Sequence, residues 1–313
     1  MTKLSDLRET ISKNAHSKFV SQYTSNPIHK IGTLIVIAFI IEAITGFLLL
    51  LHYEPDPGRA YASTRAILGR LPYGNVIGTL HLYTAYAIIL LTFIHGVRNY
   101  FLDLHILRKG IWISGVVMGL VTFGLIFTGS LLPWTMISKS HLELLIKIIN
   151  DLPLSRSIDF EYLRSPEGQG ALLIQSYYLH VIVLPLILLI LLVFKIRMLI
   201  SQRIFNPISM KSKGESRNLT SRASGDFTYI LMLALLFTAF MLATSALFPS
   251  KLPPEFSSIN IGNQIPKPEW YLLWIYELSH IFPIAQGLMA CILAFIISLV
   301  ILTLPLIDKP KDG

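Results

Sequence analysis

Charge is what this sequence has least of. Asp, Glu, Lys and Arg make up 14% of its 313 residues, while 53% are hydrophobic. Soluble domains carry about 25% charged residues. The deficit excludes a cytosolic globular protein and a disordered chain. Cysteine is nearly absent too: Cys291 stands alone, which excludes a disulfide-stapled secreted domain. Repeats, heptads and low-complexity tracts are missing. A basic excess of +8 would suit a nucleic-acid partner, but its distribution along the chain points instead to membrane topology. Long uncharged runs such as 31–41 and 181–194 mark an integral membrane protein in contact with lipid.

Six segments are long and apolar enough to span a bilayer as helices: 31–52, 77–101, 111–132, 174–200, 227–248 and 284–306. The expected fold is an all-α integral membrane protein whose first four helices form a bundle. Four regions divide the chain. Residues 1–30 lack the apolar core of a signal peptide and read as an amphipathic segment lying on the surface. Residues 31–200 form the four-helix unit, the polar and basic stretch 201–225 a linker, and 226–313 a two-helix unit. Of the 26 Lys and Arg, 17 lie at the termini and in the loops after spans two and four or at their edges. The positive-inside rule therefore places both termini in the cytoplasm. Two of the three loops on the opposite face are long, and long loops in a compact chain tend to carry function.

Three of the nine histidines fall well inside the spans: His81, His95 and His180. His81 and His95 are 14 residues apart, nearly four helical turns, so they share one face about 21 Å apart along the axis. His180 opens span four, level with His81. Two imidazoles on facing helices suit the two axial positions of a haem iron, whereas a single intramembrane histidine is more often a hydrogen-bonded core residue. No histidine lies 14 or 15 residues beyond His180, where Phe194 and Lys195 stand. Gly32 and Gly46 on span one and Gly115 and Gly129 on span three repeat the 14-residue interval. Glycine lets a flat macrocycle approach a helix, although small residues also serve ordinary packing in membranes.

Short motifs carry a family resemblance over about residues 25–307: PEWY at 268–271, TGFLLLLHY at 45–53, HGVR at 95–98, GSLLPW at 129–134 and LHVIVLP at 179–185. Together they resemble the cytochrome b of Rieske/cytochrome b quinol-oxidising complexes. The chloroplast and cyanobacterial branch is the most similar, here with its two halves joined through 201–225 and six helices in all. In that branch the ligands of the fourth helix are 15 residues apart, with a proline five after the first. Pro185 keeps that position, so Lys195 stands where the second histidine would be.

The resemblance implies a set of roles. His81 and His180 would ligate an outer b haem, and His95 an inner b haem with Arg98 near its propionates. Gly32, Gly46, Gly115 and Gly129 would line the two haem sites. Glu269, with Tyr271 beside it in the motif, would bind quinol and take its proton at the outer face. Asp226 matches the acid near the inner quinone site. A Rieske iron–sulfur protein, a c-type cytochrome and a second copy of the chain are the implied partners, within the energy-transducing membrane.

Several positions depart from the family. Lys195 leaves three readings of the inner haem: His/Lys ligation, five-coordination, or absence with the lysine reaching the membrane surface. Gly78 replaces an arginine near the outer haem. Lys30 replaces a cysteine that tethers an extra inner haem, so no thioether is expected there. Glu42 replaces a glutamine; it could tune the outer haem, relay a proton, or be a neutral hydrogen-bonded acid. An electron-transfer subunit of a different or reverse-running quinone-linked complex is the competing function.

Overall fold

The structure is a computed structural model. It describes residues 30–151, 159–201, 218–256, 267–274, 276–277 and 286–308; all but the last residue of the expected surface segment at 1–30 and most of the linker at 201–225 lie outside them. Among the described residues the chain is helical, with a single isolated β-bridge between Thr135 and Glu255.

Helix α1 spans Ile31–Leu50, α2 Ala60–Arg70, α3 Gly74–Phe101, α4 Leu104–Leu107, α5 Lys109–Leu131 and α6 Met136–Asp151. They are followed by α7 (Phe160–Arg164), α8 (Pro166–Tyr178), a π turn at Leu179–Val183, α9 (Leu184–Ser201), α10 (Asn218–Leu247) and α11 (Gln286–Ile307). Five helical segments among the described residues are long and apolar enough to cross a membrane: α1, α3, α5, the continuous run Pro166–Ser201, and Phe227–Leu247 of α10. The sixth expected span coincides with α11. This is a multi-pass membrane protein.

In hydrocarbon each backbone polar group must bond within its own helix, which these runs do. Side-chain hydroxyls follow the same rule. Thr45 donates to the Ile41 carbonyl at 2.8 Å, Thr122 to Met118 at 2.8 Å and Ser245 to Met241 at 2.7 Å. Large apolar side chains point outward instead of into a core: Phe93 is 68% exposed and Leu235 62%. On a soluble protein such a surface would aggregate; in lipid it is solvated.

Helix starts outside the bilayer use polar caps. Asp159 accepts from the Tyr162 N–H, and Ser165 accepts from the Gly168 N–H with Pro166 in the first turn.

Helix α1 packs along α3, and α5 along α9, with α3 and α5 also in contact. Helix α10 closes on α1 and α3 through a cluster of Ile41, Leu80 and Met241. The amphipathic α6 packs between α5 and α11. Its entry is a sharp turn in which Trp134 adopts φ 52°, a left-handed conformation that costs a bulky residue of order 1–3 kcal/mol. Trp134 stacks on Phe256 at 4.3 Å between centroids, and its carbonyl accepts the Phe256 N–H at 2.9 Å. The Met136 N–H donates to the Pro254 carbonyl at 2.9 Å. These contacts bring the loop after α5 and the loop after α10 together at the His81 end of the bundle.

Candidate haem and quinol sites

Four helices bring the intramembrane histidines, Lys195 and the four spaced glycines together in pairs. A Cβ on Gly46 would stand 3.2 Å from His81 Cε1, and one on Gly32 would stand 3.3 Å from His95 Cε1. Across the bundle, a Cβ on Gly129 would lie 2.5 Å from His180 Cε1, and one on Gly115 would lie 3.0 Å from Lys195 Nζ. Each basic side chain therefore rests against a helix face that has no Cβ. The pattern repeats at two levels.

A π turn explains why the fourth span spaces its pair by 15 residues. Pro185 has no N–H and its ring crowds the carbonyl one turn back, which an α-helix does not accommodate. The backbone shifts to i→i+5 bonding at Leu179–Val183, with the Leu184 N–H on the Leu179 carbonyl. Such a bulge inserts one residue without a change of face. His180 lies inside it, so Lys195 meets Gly115 as His180 meets Gly129, although the glycines on α5 are 14 apart.

At the His81 level the two imidazoles face each other with centroids 6.2 Å apart and planes at 81°. Metal–imidazole bonds of about 2.0 Å on either side of one ion would place two ring centroids about 6 Å apart. The Nδ1 atoms are both engaged. His180 Nδ1 lies 2.8 Å from the Leu125 carbonyl and 3.4 Å from Thr128 Oγ1. His81 Nδ1 lies 2.9 Å from Thr45 Oγ1 and 2.9 Å from Glu42 Oε2. A ring that donates Nδ1–H to an acceptor keeps its Nε2 lone pair for a metal. The donor set fits an axially bis-imidazole haem. Among the described residues, no hydrogen-bond partner reaches the buried Glu42 Oε1.

The His95 level is less finished. Among the described residues, no hydrogen-bond partner reaches the buried His95 Nδ1. Arg98, three residues on, is half-buried and donates from Nη1 to Asn99 at 3.1 Å. Imidazole and amine nitrogens are both able to ligate iron, so this level also fits a haem.

Gly78 packs against the Leu68 side chain of α2, whose terminal methyl would have to move aside for a Cβ there. Lys30 immediately precedes α1. Asp226 falls within α10, and its side chain lies outside the described residues, as does that of Cys291.

A second constellation surrounds Glu269. Tyr271 is buried with Leu272 against Leu144, flanked by Tyr86, Ile89, Ile126 and Phe127. Tyr86 is five residues beyond His81 on α3 and packs against Trp270 at 5.9 Å and Tyr271 at 6.3 Å. Burial pushes the Glu269 carboxyl above the ordinary carboxylate range, opposed by the hydroxyls of Tyr86 and Tyr271. Burial also raises the Tyr271 hydroxyl, with the neighbouring Glu269 adding to it.

Behind this loop stands His141 of α6, completely buried. Its Nδ1 lies 2.7 Å from Ser130 Oγ, and its Nε2 accepts the Glu269 N–H at 3.4 Å. Burial pushes this imidazole down to about 4. Tyr86 and His141 belong to none of the sequence motifs, and His141 lies outside the spans.

Two levels of basic side chains, each against a glycine of a facing helix, mark the interior of a helical multi-pass membrane protein. Residues 16–203 match the sequence family described as Cytochrome b/b6/petB, and the chain belongs to that family. A "Cytochrome bc complex cytochrome b subunit" of Chlorobaculum thiosulfatiphilum is 28% identical over 286 residues, which cover 89% of this chain and 65% of that relative. A cytochrome b6 of Heliobacterium modesticaldum is 30% identical over 200 residues, covering 63% of this chain and 94% of that one. Among solved structures, a chain of a "Hyperthermophilic respiratory Complex III" superposes with a TM-score of 0.69 at 21% identity, covering 96% of this chain and 83% of that chain. That likeness establishes a shared fold. Membership of the family implies b-type haems.

Proposed function

We propose that the chain is the haem-bearing cytochrome b subunit of a bc-type complex that oxidises quinol at the outer membrane face. The carrying observation is the fourfold pairing of Gly46, Gly129, Gly32 and Gly115 with His81, His180, His95 and Lys195. His81 and His180 would hold the outer haem, and His95 and Lys195 would hold the inner one. When bound, the haems relay single electrons across the bilayer. Arg98 neutralises the inner propionates.

At the outer face Glu269 receives a quinol proton. A carboxyl raised by burial lies nearer the working pH, which is what proton transfer requires of a base. Tyr86 and Tyr271 orient it and form part of the pocket wall. Asp226 serves a second quinone at the inner face. One electron leaves to a Rieske iron–sulfur protein and on to a c-type cytochrome; the other crosses the membrane. The complex is a proton-translocating homodimer in the energy-transducing membrane, with both termini of this chain in the cytoplasm.

A second reading rests on Lys195 standing where the second histidine would be: with a modified or missing inner haem, the chain is a cytochrome b-like electron-transfer subunit of a different or reverse-running quinone-linked complex. Quinol-dependent reduction of cytochrome c by the purified complex separates the two. Inhibitable turnover that falls with Glu269→Gln supports the first reading. Haem reduction by quinol without acceptor turnover supports the second.

A further inference from the structure

We propose that His141 is the positioning residue of the Glu269 loop: it holds the Glu269 backbone so that the carboxyl stays in a dry pocket between Tyr86 and Tyr271. This deepens the assignment of Glu269 as quinol base and rests on it.

The hydrogen bonds fix one tautomer. Ser130 Oγ donates to the Phe127 carbonyl at 2.7 Å, so its lone pair receives His141 Nδ1–H. His141 Nε2 is then bare and accepts the Glu269 N–H. Only a neutral imidazole with its proton on Nδ1 completes this chain. The ring is wedged between Phe127 at 6.2 Å and Tyr271 at 6.3 Å between centroids. It is a polar side chain with no exposed surface, and its two nitrogens connect span α5 to the quinol-site loop. Packing alone would be served as well by leucine. What histidine adds is an acceptor for the Glu269 backbone N–H.

The groups facing Glu269 are Tyr86 from α3, Tyr271 from its own loop and His141 from α6. None carries a charge near neutral pH, so the acidity of Glu269 follows how dry the pocket is. Release of the loop would admit water and move the carboxyl back toward its ordinary value.

The test uses the purified haem-loaded complex carrying His141→Ala, His141→Gln, Ser130→Ala or Glu269→Gln. Two quantities are read: amide hydrogen exchange in the peptide covering residues 267–274, and quinol oxidation against pH. His141→Ala is expected to speed exchange about fivefold, the equilibrium factor of one ordinary hydrogen bond, and to shift the acid limb of the rate to lower pH. His141→Gln, whose amide oxygen can accept the same N–H, is expected to keep both near wild type. Unchanged exchange in His141→Ala, or His141→Gln as loose as alanine, overturns the proposal. If His141→Ala fails to assemble, Ser130→Ala decides: freeing the tautomer should speed the same exchange, and wild-type exchange overturns the proposal. Full turnover in Glu269→Gln would instead remove Glu269 as the base, while the exchange result still judges His141.

Discussion

Lys195 faces Gly115 as His180 faces Gly129. In both pairs a basic side chain on the fourth span meets a helix position on α5 that lacks a Cβ, at 3.0 Å and 2.5 Å respectively. The lysine thus repeats, at the His95 level, the register that His180 keeps at the His81 level.

The two contacts differ in stiffness, which separates their mutants. An added methyl at Gly129 meets a rigid imidazole held on the Leu125 carbonyl, whereas one at Gly115 meets the free end of a flexible chain. Gly129→Ala should lose the outer haem, seen as about half the b-type absorbance per chain. Gly115→Ala should keep the outer haem intact.

Glu42 Oε2 lies 2.9 Å from Nδ1 of His81, the imidazole proposed as an outer haem ligand. A carboxylate on the Nδ1–H of a metal-ligating imidazole raises its donor strength, and such outer partners change metal affinity about 10–100-fold. Stronger donation favours ferric iron. Glu42→Gln should therefore raise the midpoint potential of the outer haem in a redox titration, with the inner haem unmoved. An unchanged outer potential would mean that Thr45 alone sets the ring.

The raised carboxyl of Glu269 has a kinetic signature. Quinol oxidation needs the ionised form, so the rate should fall as pH drops through a value above the ordinary glutamate range of about 4.3. Glu269→Gln should lower turnover about 10²-fold or more and abolish that acid limb. Retained turnover with the same limb would assign the proton to another group.

His141 should also make folding stability pH-dependent. Its imidazole is pushed down to about 4 in the folded protein and returns to about 6.5 when unfolded. Between those values the unfolded chain binds the extra proton, so stability declines as pH falls from about 6.5 to about 4 and levels off below. The loss is on the order of 3 kcal/mol. His141→Gln should flatten that part of a melting-temperature profile in detergent.

Much of this was legible in the chain itself. Hydropathy located the spans to within a few residues at most ends, because lipid leaves helices little alternative. The 14-residue intervals in α1, α3 and α5 translate directly into shared faces. The fourth span resists such reading: its 15-residue interval makes sense only once Pro185 forces the π turn at Leu179–Val183. The Glu269 pocket was half legible. PEWY marked the acid, but Tyr86 and His141 reach it from α3 and α6, and no sequence period connects those segments. Gly78, read as a missing arginine, proves to be where α2 closes on α3 through Leu68.

The most direct test of the whole account is haem content per chain in the purified complex, with low-temperature EPR of the oxidised protein and of Lys195→Ala. Two b haems, with one low-spin signal lost in Lys195→Ala, is the predicted result and would assign His95 and Lys195 to the inner haem. One haem per chain, or two signals indifferent to the substitution, would contradict the assignment of Lys195 as a ligand.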